Sequence, residues 1–224
     1  MTQESRVVFL LDVDNTLLDN DRVVADLSRH LTRVLGAERQ RRYFAVFETL
    51  RSELGYADYL GALQRYRIEN PREPNILEVS SFLVDYPFAN RLFPGSLDVI
   101  ERFQTWGAPV ILSDGDVVFQ PRKIERSGLA DAVERRVLIY IHKEKELDDV
   151  AIRFPADHYV LVDDKLRILA AVKEIWGSRV TTVFPRQGHY AHDPKVLSTY
   201  RPADLVVERI SDLLELEKSA FFTS

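Results

Sequence analysis

An apolar run near the N-terminus ends in two acidic residues, and this feature constrains the fold more than any other in the chain. Segment 7–11 contains only valine, phenylalanine and leucine, and Asp12 and Asp14 follow it. A short, uninterrupted apolar run is typical of a central strand in a parallel sheet, which is buried on both faces. Because side chains alternate along a strand, residues two apart point to the same side, so both carboxylates are predicted to lie together at the end of the strand.

Two neighbouring carboxylates repel each other, so the pair implies either a bound metal ion or a proton held on one carboxyl group. Both arrangements are useful in phosphoryl chemistry. The alternative is that Asp12 and Asp14 are solvated turn residues, because aspartate is common in turns. The rest of the chain decides between these interpretations.

The composition describes a folded globular protein. Of its 224 residues, 46% are hydrophobic and 29% are charged, which suits one large domain or a core with a smaller inserted domain. The formal net charge of −5 argues against nonspecific binding to nucleic acid, which needs a basic surface.

The expected location is the cytoplasm, and no membrane partner is expected. No apolar stretch approaches the roughly 18 residues of a membrane span, and Met1–Ser5 lacks the basic and apolar regions of a signal peptide. The chain contains no cysteine, so it has neither a disulfide framework nor thiolate chemistry.

The pattern along the chain predicts an α/β fold with a helical insert. From about residue 19 to 87, apolar residues recur at helical spacing without a convincing strand. Beyond Pro94-Gly95, strand and helix patterns alternate as in parallel βαβ units. The predicted strands after the first are 109–112, 136–141, 158–162, 180–184 and 205–207, and the predicted helices are 96–106, about 121–127, one beginning near 146, and 166–175.

Polar residues follow four of the predicted strands. Ligands of open parallel sheets bind outside the carboxyl ends of the strands, so these residues are expected to form one site. They are Asp12 and Asp14 after the first strand, Ser113-Asp114-Gly115-Asp116 after the second, His142-Lys143 after the third, and Asp163-Asp164-Lys165 after the fourth.

These residue types are the ones that metal-assisted phosphoryl transfer requires. Asp12 is the candidate nucleophile and Asp14 the candidate acid and base. Magnesium prefers oxygen ligands, and Asp12, Asp163 and Asp164 can supply them.

Donors are also needed to stabilise charge on the phosphoryl group, and Ser113 and Lys143 are the candidates. Taken singly, the same residues have ordinary explanations: a turn at 113–116, an exposed helix start at Lys143, and a helix N-cap at 163–164.

With these motifs in order, the chain resembles the haloacid dehalogenase-like (HAD) superfamily of hydrolases over essentially its whole length. The segment Asp12-Val13-Asp14-Asn15-Thr16-Leu17 matches the first motif of the family. The other three motifs are matched by Ser113, Lys143 and Asp163-Asp164.

The resemblance implies a doubly wound, Rossmann-like parallel sheet, with residues 1–18 and 91–224 as the catalytic core and 19–90 as an all-α cap. It also implies Mg²⁺ dependence and an aspartyl-phosphate intermediate. The implied site residues are the catalytic Asp12 and Asp14, the phosphate-binding Ser113, Asp114, Gly115 and Lys143, and the metal ligands Asp12, Asp14 (through its backbone carbonyl), Asp163 and Asp164.

The match leaves two choices open. The fourth motif commonly begins Gly-Asp, whereas here it reads Asp163-Asp164-Lys165, so either acid can be the direct metal ligand. Lys143 is preferred to Lys145 because it lies nearer the end of the apolar strand.

The expected function is a magnesium-dependent phosphatase that acts on a small phosphorylated metabolite. Dehalogenation is disfavoured because the dehalogenases of this family lack the second acid, which is Asp14 here. The alternatives are a phosphomutase or other phosphotransferase, and a catalytically silent binding or signalling protein. A phosphonate-cleaving relative would need a cap lysine, and residues 19–90 contain none. The expected substrate contacts in the cap are Arg51, Tyr56, Tyr59, Arg65 and Arg67.

Overall fold

A six-stranded parallel sheet forms the centre of the protein. The computed structural model describes residues 6–222, so the segment Met1–Ser5 lies outside the described residues, as do 223 and 224. The strands are β1 (Val7–Leu11), β2 (Ala108–Asp114), β3 (Val137–Tyr140), β4 (His158–Val162), β5 (Val180–Pro185) and β6 (Leu205–Val207).

The strand order is β3-β2-β1-β4-β5-β6, which confirms the predicted doubly wound sheet. From β1 the chain moves outward through β2 and β3 and then returns to place β4 on the other side of β1. The order therefore reverses between β1 and β4. In open α/β sheets, ligands bind in the crevice at such a reversal point, outside the carboxyl ends of the strands.

Helices cover both faces of the sheet. They are α1 (Asn20–Leu35), α2 (Ala37–Leu54), α3 (Tyr59–Glu69), α4 (Ile76–Asp85), α5 (Ser96–Gln104), α6 (Phe119–Arg126), α7 (Leu129–Ala132), α8 (Leu147–Arg153), α9 (Leu166–Trp176) and α10 (Pro194–Thr199). Strand β1 contributes to two separate cores, with Phe9 in the core that contains α5 and Leu10 in the core that contains α9. This two-sided burial explains why the β1 sequence is apolar at every position.

Helices α1 to α4 form the helical insert between β1 and α5. Helix α1 begins at Asn20 because the Asp19 carboxylate accepts the N–H of Arg22 at 2.9 Å, which satisfies a free donor of the first turn. The insert occupies the segment that the sequence predicts to be helical. Its assignment as a separate cap domain stays a prediction.

Two short helices were not expected from the sequence. Helix α7 follows α6 after Gly128, which has a left-handed φ of 84°, and such a residue separates two helices readily. Helix α10 begins with Pro194 after the capping residue Asp193. Among the described residues, no helix has both the length and the apolar character needed to cross a bilayer.

Candidate active site

The acids after β1 and β4 meet at the point where the strand order reverses. Asp12, Asp163 and Asp164 are buried, and each offers a carboxylate oxygen that lies within 4.8 Å of the other two. Adjacent parallel strands end at the same edge of the sheet, which is why residues about 150 positions apart come together here.

Lys143 lies between two of these acids. Its Nζ is 2.5 Å from Asp12 Oδ1 and 2.7 Å from Asp163 Oδ2. Burial lowers the pKa of Lys143, but the nearby negative charges of Asp12, Asp163 and Asp114 outweigh this effect and raise it above its usual value. Lys143 is therefore a fully buried ammonium group, whereas Lys145 is exposed.

Asp164 has the free oxygens that a cation could use. Both of its carboxylate oxygens are buried and accept no hydrogen bond from the described residues. Burial raises the pKa of Asp164 well above its usual value, because a charged group without partners is costly in the interior.

The pKa of Asp163 is also raised. Burial and the charge of Asp12 raise it to about 6, against the opposing effect of Lys143. One oxygen of Asp163 accepts the N–H of Lys165 at 2.8 Å, and the other faces Lys143. The contacts thus favour Asp164 as a direct metal ligand.

Thr16 connects the two acidic strand ends. Its hydroxyl donates to Asp12 Oδ2 at 3.2 Å and accepts the N–H of Asp164 at 3.0 Å. The turn that positions Thr16 contains Asn15 at a left-handed φ of 61°. A Cβ on Gly188 would lie 2.5 Å from the Asn15 Cβ, so a glycine is required where the loop after β5 packs on this turn.

Asp14 has different partners from Asp12 and is partly exposed to a cavity. Lys123 Nζ donates to Asp14 Oδ1 at 2.6 Å, and Gln120 Nε2 lies 3.4 Å from Asp14 Oδ2. Gln120 also donates to Ser113 Oγ at 2.9 Å. One face of α6 therefore holds the second carboxylate and orients the serine hydroxyl.

Sequence reasoning missed Gln120 and Lys123. They are three residues apart in the helix after the second motif, and that spacing places them on one helical face. The helical spacing shows that the two side chains share a face of α6. It does not show that this face points toward Asp14, because the packing of α6 decides its orientation.

The two residues after Ser113 are half-buried, and Asp114 also lines the cavity. Asp114 Oδ1 accepts the backbone N–H of Lys143 at 2.8 Å and thereby positions that lysine. Gly115 donates its N–H to Tyr140 O at 3.0 Å. Phosphate binding by Asp114 and Gly115 stays a prediction.

A cavity of about 680 Å³ lies over these acids, between the helical insert and the edge of the sheet. Asp14, Lys123, Asp164 and Lys165 line its base. Of the expected substrate contacts, Arg51, Tyr56 and Tyr59 line this cavity. Arg65 and Arg67 do not. Arg65 instead lies 2.7 Å from Glu53, and Arg67 lines a smaller depression on the insert.

The family model of haloacid dehalogenase-like hydrolases matches residues 7–176. The chain belongs to this family. A haloacid dehalogenase-like hydrolase from Burkholderia xenovorans LB400 shares 65% sequence identity with it, and the two structures have a TM-score of 0.91 over 95% of this chain and 99% of that one. The resemblance drawn from the motifs is confirmed, and this HAD-like protein is a hydrolase.

More distant structures share the fold of this HAD-like hydrolase. A HAD hydrolase from Bacillus subtilis bound to magnesium has 15% identity and a TM-score of 0.60, over 95% of this chain and 98% of that one. The L-2-haloacid dehalogenase from Xanthobacter autotrophicus has 18% identity and a TM-score of 0.58, with the same coverage. No curated protein gives a significant match to the sequence.

Proposed function

We propose that this hydrolase is a magnesium-dependent phosphatase that acts on a small phosphorylated metabolite through an aspartyl-phosphate on Asp12. The observation that supports this most is the different surroundings of Asp12 and Asp14. Asp12 is buried against Lys143 and Thr16, whereas Asp14 borders the cavity and is held by Lys123. A two-step displacement needs one carboxylate to attack and another to move protons.

The acidic cluster fits a magnesium ion. Its donors are carboxylate oxygens, which Mg²⁺ prefers, and Asp164 has two buried oxygens without hydrogen bonds from the described residues. Asp12 and Asp164 would hold the ion together with the backbone carbonyl of Asp14, with Asp163 beside them. When bound, Mg²⁺ offsets the negative charge of the phosphoryl oxygens and of the surrounding carboxylates.

In the first step, Asp12 forms a bond to phosphorus while the bond between phosphorus and the alcohol oxygen breaks. Protonated Asp14 gives its proton to that oxygen. In the second step, Asp14 takes a proton from a water molecule that attacks the phosphoryl group and releases Asp12 and inorganic phosphate. The Lys143 ammonium and the Ser113 hydroxyl stabilise charge on the phosphoryl oxygens.

The proton donor distinguishes this proposal from dehalogenation, which the L-2-haloacid dehalogenases with this fold carry out. A halide leaves as a stable anion and needs no proton, whereas an alkoxide is a poor leaving group unless an acid protonates it. A second carboxylate facing the cavity is therefore useful for phosphate esters and serves no purpose in displacing chloride.

A direct assay tests this proposal. The protein is incubated with 4-nitrophenyl phosphate or with 2-chloropropionate, with added magnesium or with excess chelator. We expect release of inorganic phosphate in an amount equal to the nitrophenol, and loss of this activity with chelator. Chloride release, or phosphate release that persists in excess chelator, would contradict the proposal. A deficit of inorganic phosphate relative to nitrophenol would indicate transfer to another acceptor.

A further inference from the structure

The cavity over the acids is far larger than a phosphate group requires. Its volume of about 680 Å³ falls in the range of pockets that bind organic ligands, which are about 300–1,000 Å³. The upper part therefore has room for the alcohol portion of a substrate.

Aromatic side chains from two parts of the chain line this cavity. Phe44 and Tyr56 come from the helical insert, and Tyr190 and Tyr200 come from the segment after β5. All four are partly exposed, so their rings are accessible from the cavity. Phe47 and Tyr59 also line the cavity, where they are largely buried and stacked with ring centroids 4.6 Å apart.

Three of the basic side chains that line the cavity already have partners in the protein. Arg51 lies 3.6 Å from Glu48 and contacts the Tyr190 hydroxyl. Two further pairs are Arg167 with Glu144 at 2.6 Å and His189 with Asp21 at 2.7 Å. A second charged group on the ligand would compete with these contacts, so they favour an uncharged group.

We infer that the substrate is a monophosphate whose alcohol portion carries an uncharged planar ring. The phosphate lies at the proposed catalytic site beside Asp12, and the ring lies among these aromatic side chains. This inference rests on the proposed phosphatase function. Apolar surface favours any ring over a short chain, and interactions between aromatic rings add a preference for a planar ring over a saturated one.

Three substrates with the same kind of primary alkyl leaving group test the inference. They are 2-phenylethyl phosphate, 2-cyclohexylethyl phosphate and ethyl phosphate. We expect kcat/KM to be highest for the phenyl compound, about twofold to tenfold above the cyclohexyl compound, and lowest for ethyl phosphate. Equal values for all three, or a preference for the cyclohexyl or ethyl compound, would overturn this inference alone. Hydrolysis of no phosphate ester, 4-nitrophenyl phosphate included, would overturn the phosphatase proposal and this inference with it.

A matched pair of variants locates the ring. Phe44→Leu removes an aromatic ring that lines the cavity, so the ratio of kcat/KM for the phenyl and cyclohexyl compounds should fall toward one. Phe222→Leu makes the same change next to His158, outside the cavity, and should keep the wild-type ratio. A smaller fraction of folded protein would lower kcat/KM for both substrates by the same factor, so it would not change the ratio. An unchanged ratio in Phe44→Leu would contradict the placement of the ring.

Discussion

Asp12 and Asp14 are neighbours on one strand end, but the side chains around them suit them to different tasks. Asp12 is buried beside Lys143 and Thr16, and both side chains contact its carboxylate oxygens. Asp14 borders the cavity, and Lys123 and Gln120 hold its two oxygens. An acid that must reach both a leaving group and a water molecule needs this combination of access and fixed orientation.

Lys123 tests the role of orientation at Asp14. Lys123→Met removes the donor to Asp14 Oδ1, so kcat for ethyl phosphate, which has a poor leaving group, should fall about 10- to 100-fold. The fall should be smaller for 4-nitrophenyl phosphate, whose leaving group needs little protonation. Lys123→Arg keeps a donor at this position, so it should lose less kcat for ethyl phosphate than Lys123→Met. An equal fall on both substrates would point to damaged packing instead.

Lys143 and Lys145 have different surroundings, so their replacement should have unequal effects on activity. Lys143→Ala should cost about 2–4 kcal/mol of transition-state stabilisation, the scale for one preorganised donor, because Lys143 contacts Asp12 and Asp163. Lys145→Ala should be nearly neutral because Lys145 is exposed. The measurement is kcat/KM for 4-nitrophenyl phosphate, and the reverse ranking would show that the wrong lysine has been assigned.

At the scale of elements, strands were more predictable than helix orientations. The apolar runs of β1 and β4 set their bounds, and parallel pairing then brings the acids after them together. The rotation of a helix depends on what packs against it, so sequence alone could not place Gln120 and Lys123 toward Asp14. For the same reason it could not separate Arg51, which lines the cavity, from Arg65 and Arg67 of the helical insert, which do not.

An ionic contact joins α1, at the start of the helical insert, to the segment that follows α4. Asp26 in α1 accepts from Arg91 Nη2 at 2.6 Å and from the Tyr86 hydroxyl. Burial raises the pKa of Asp26, but these hydrogen bonds and the charge of Arg91 outweigh it and leave the pKa below its ordinary value of 3.8. A carboxyl whose pKa is lower in the folded state stabilises the fold above the unfolded pKa, and this contribution is lost as pH falls through the folded pKa.

Asp26→Asn should therefore lower the free energy of unfolding by about 1–3 kcal/mol at neutral pH. The difference from wild type should shrink as pH falls toward and below the ordinary carboxyl pKa of 3.8. Urea unfolding at two pH values measures this. Arg22→Gln is the control, because Arg22 and Asp19 form an exposed pair worth less than about 1 kcal/mol. A pH-independent difference for Asp26→Asn would rule out the ionic explanation.

At the scale of the whole molecule, the reversal of strand order concentrates buried acids at one point. Asp163 and Asp164 have raised pKa values, and that of Asp163 is about 6. A carboxyl with a raised pKa in the native state holds its proton more tightly than in the unfolded chain. In the absence of metal, the proton on Asp163 stabilises the native state at low pH. This stabilisation is lost as pH rises through the Asp163 pKa of about 6.

In the proposed site, magnesium would have to compete with these protons for the carboxylate oxygens. Added Mg²⁺ should raise the unfolding temperature, because only the native state assembles the ligands. The rise should be larger at about pH 7.5 than at about pH 5, where Asp163 is largely protonated. Differential scanning fluorimetry measures this, and Asp164→Ala should reduce the shift. If magnesium raised the unfolding temperature equally at both pH values, and equally in Asp164→Ala, the ion would bind outside this acidic cluster.

The central claim is that phosphate is transferred to Asp12 and released with the help of Asp14, and one experiment tests it directly. Asp14→Asn is mixed with 4-nitrophenyl phosphate and magnesium, and its intact mass is measured. The good leaving group needs little protonation, whereas attack by water lacks its base, so the phosphoryl group should accumulate on Asp12. We expect an adduct that hydroxylamine removes and that is absent from Asp12→Asn. An adduct on Ser113, or wild-type turnover by Asp12→Asn, would contradict this mechanism.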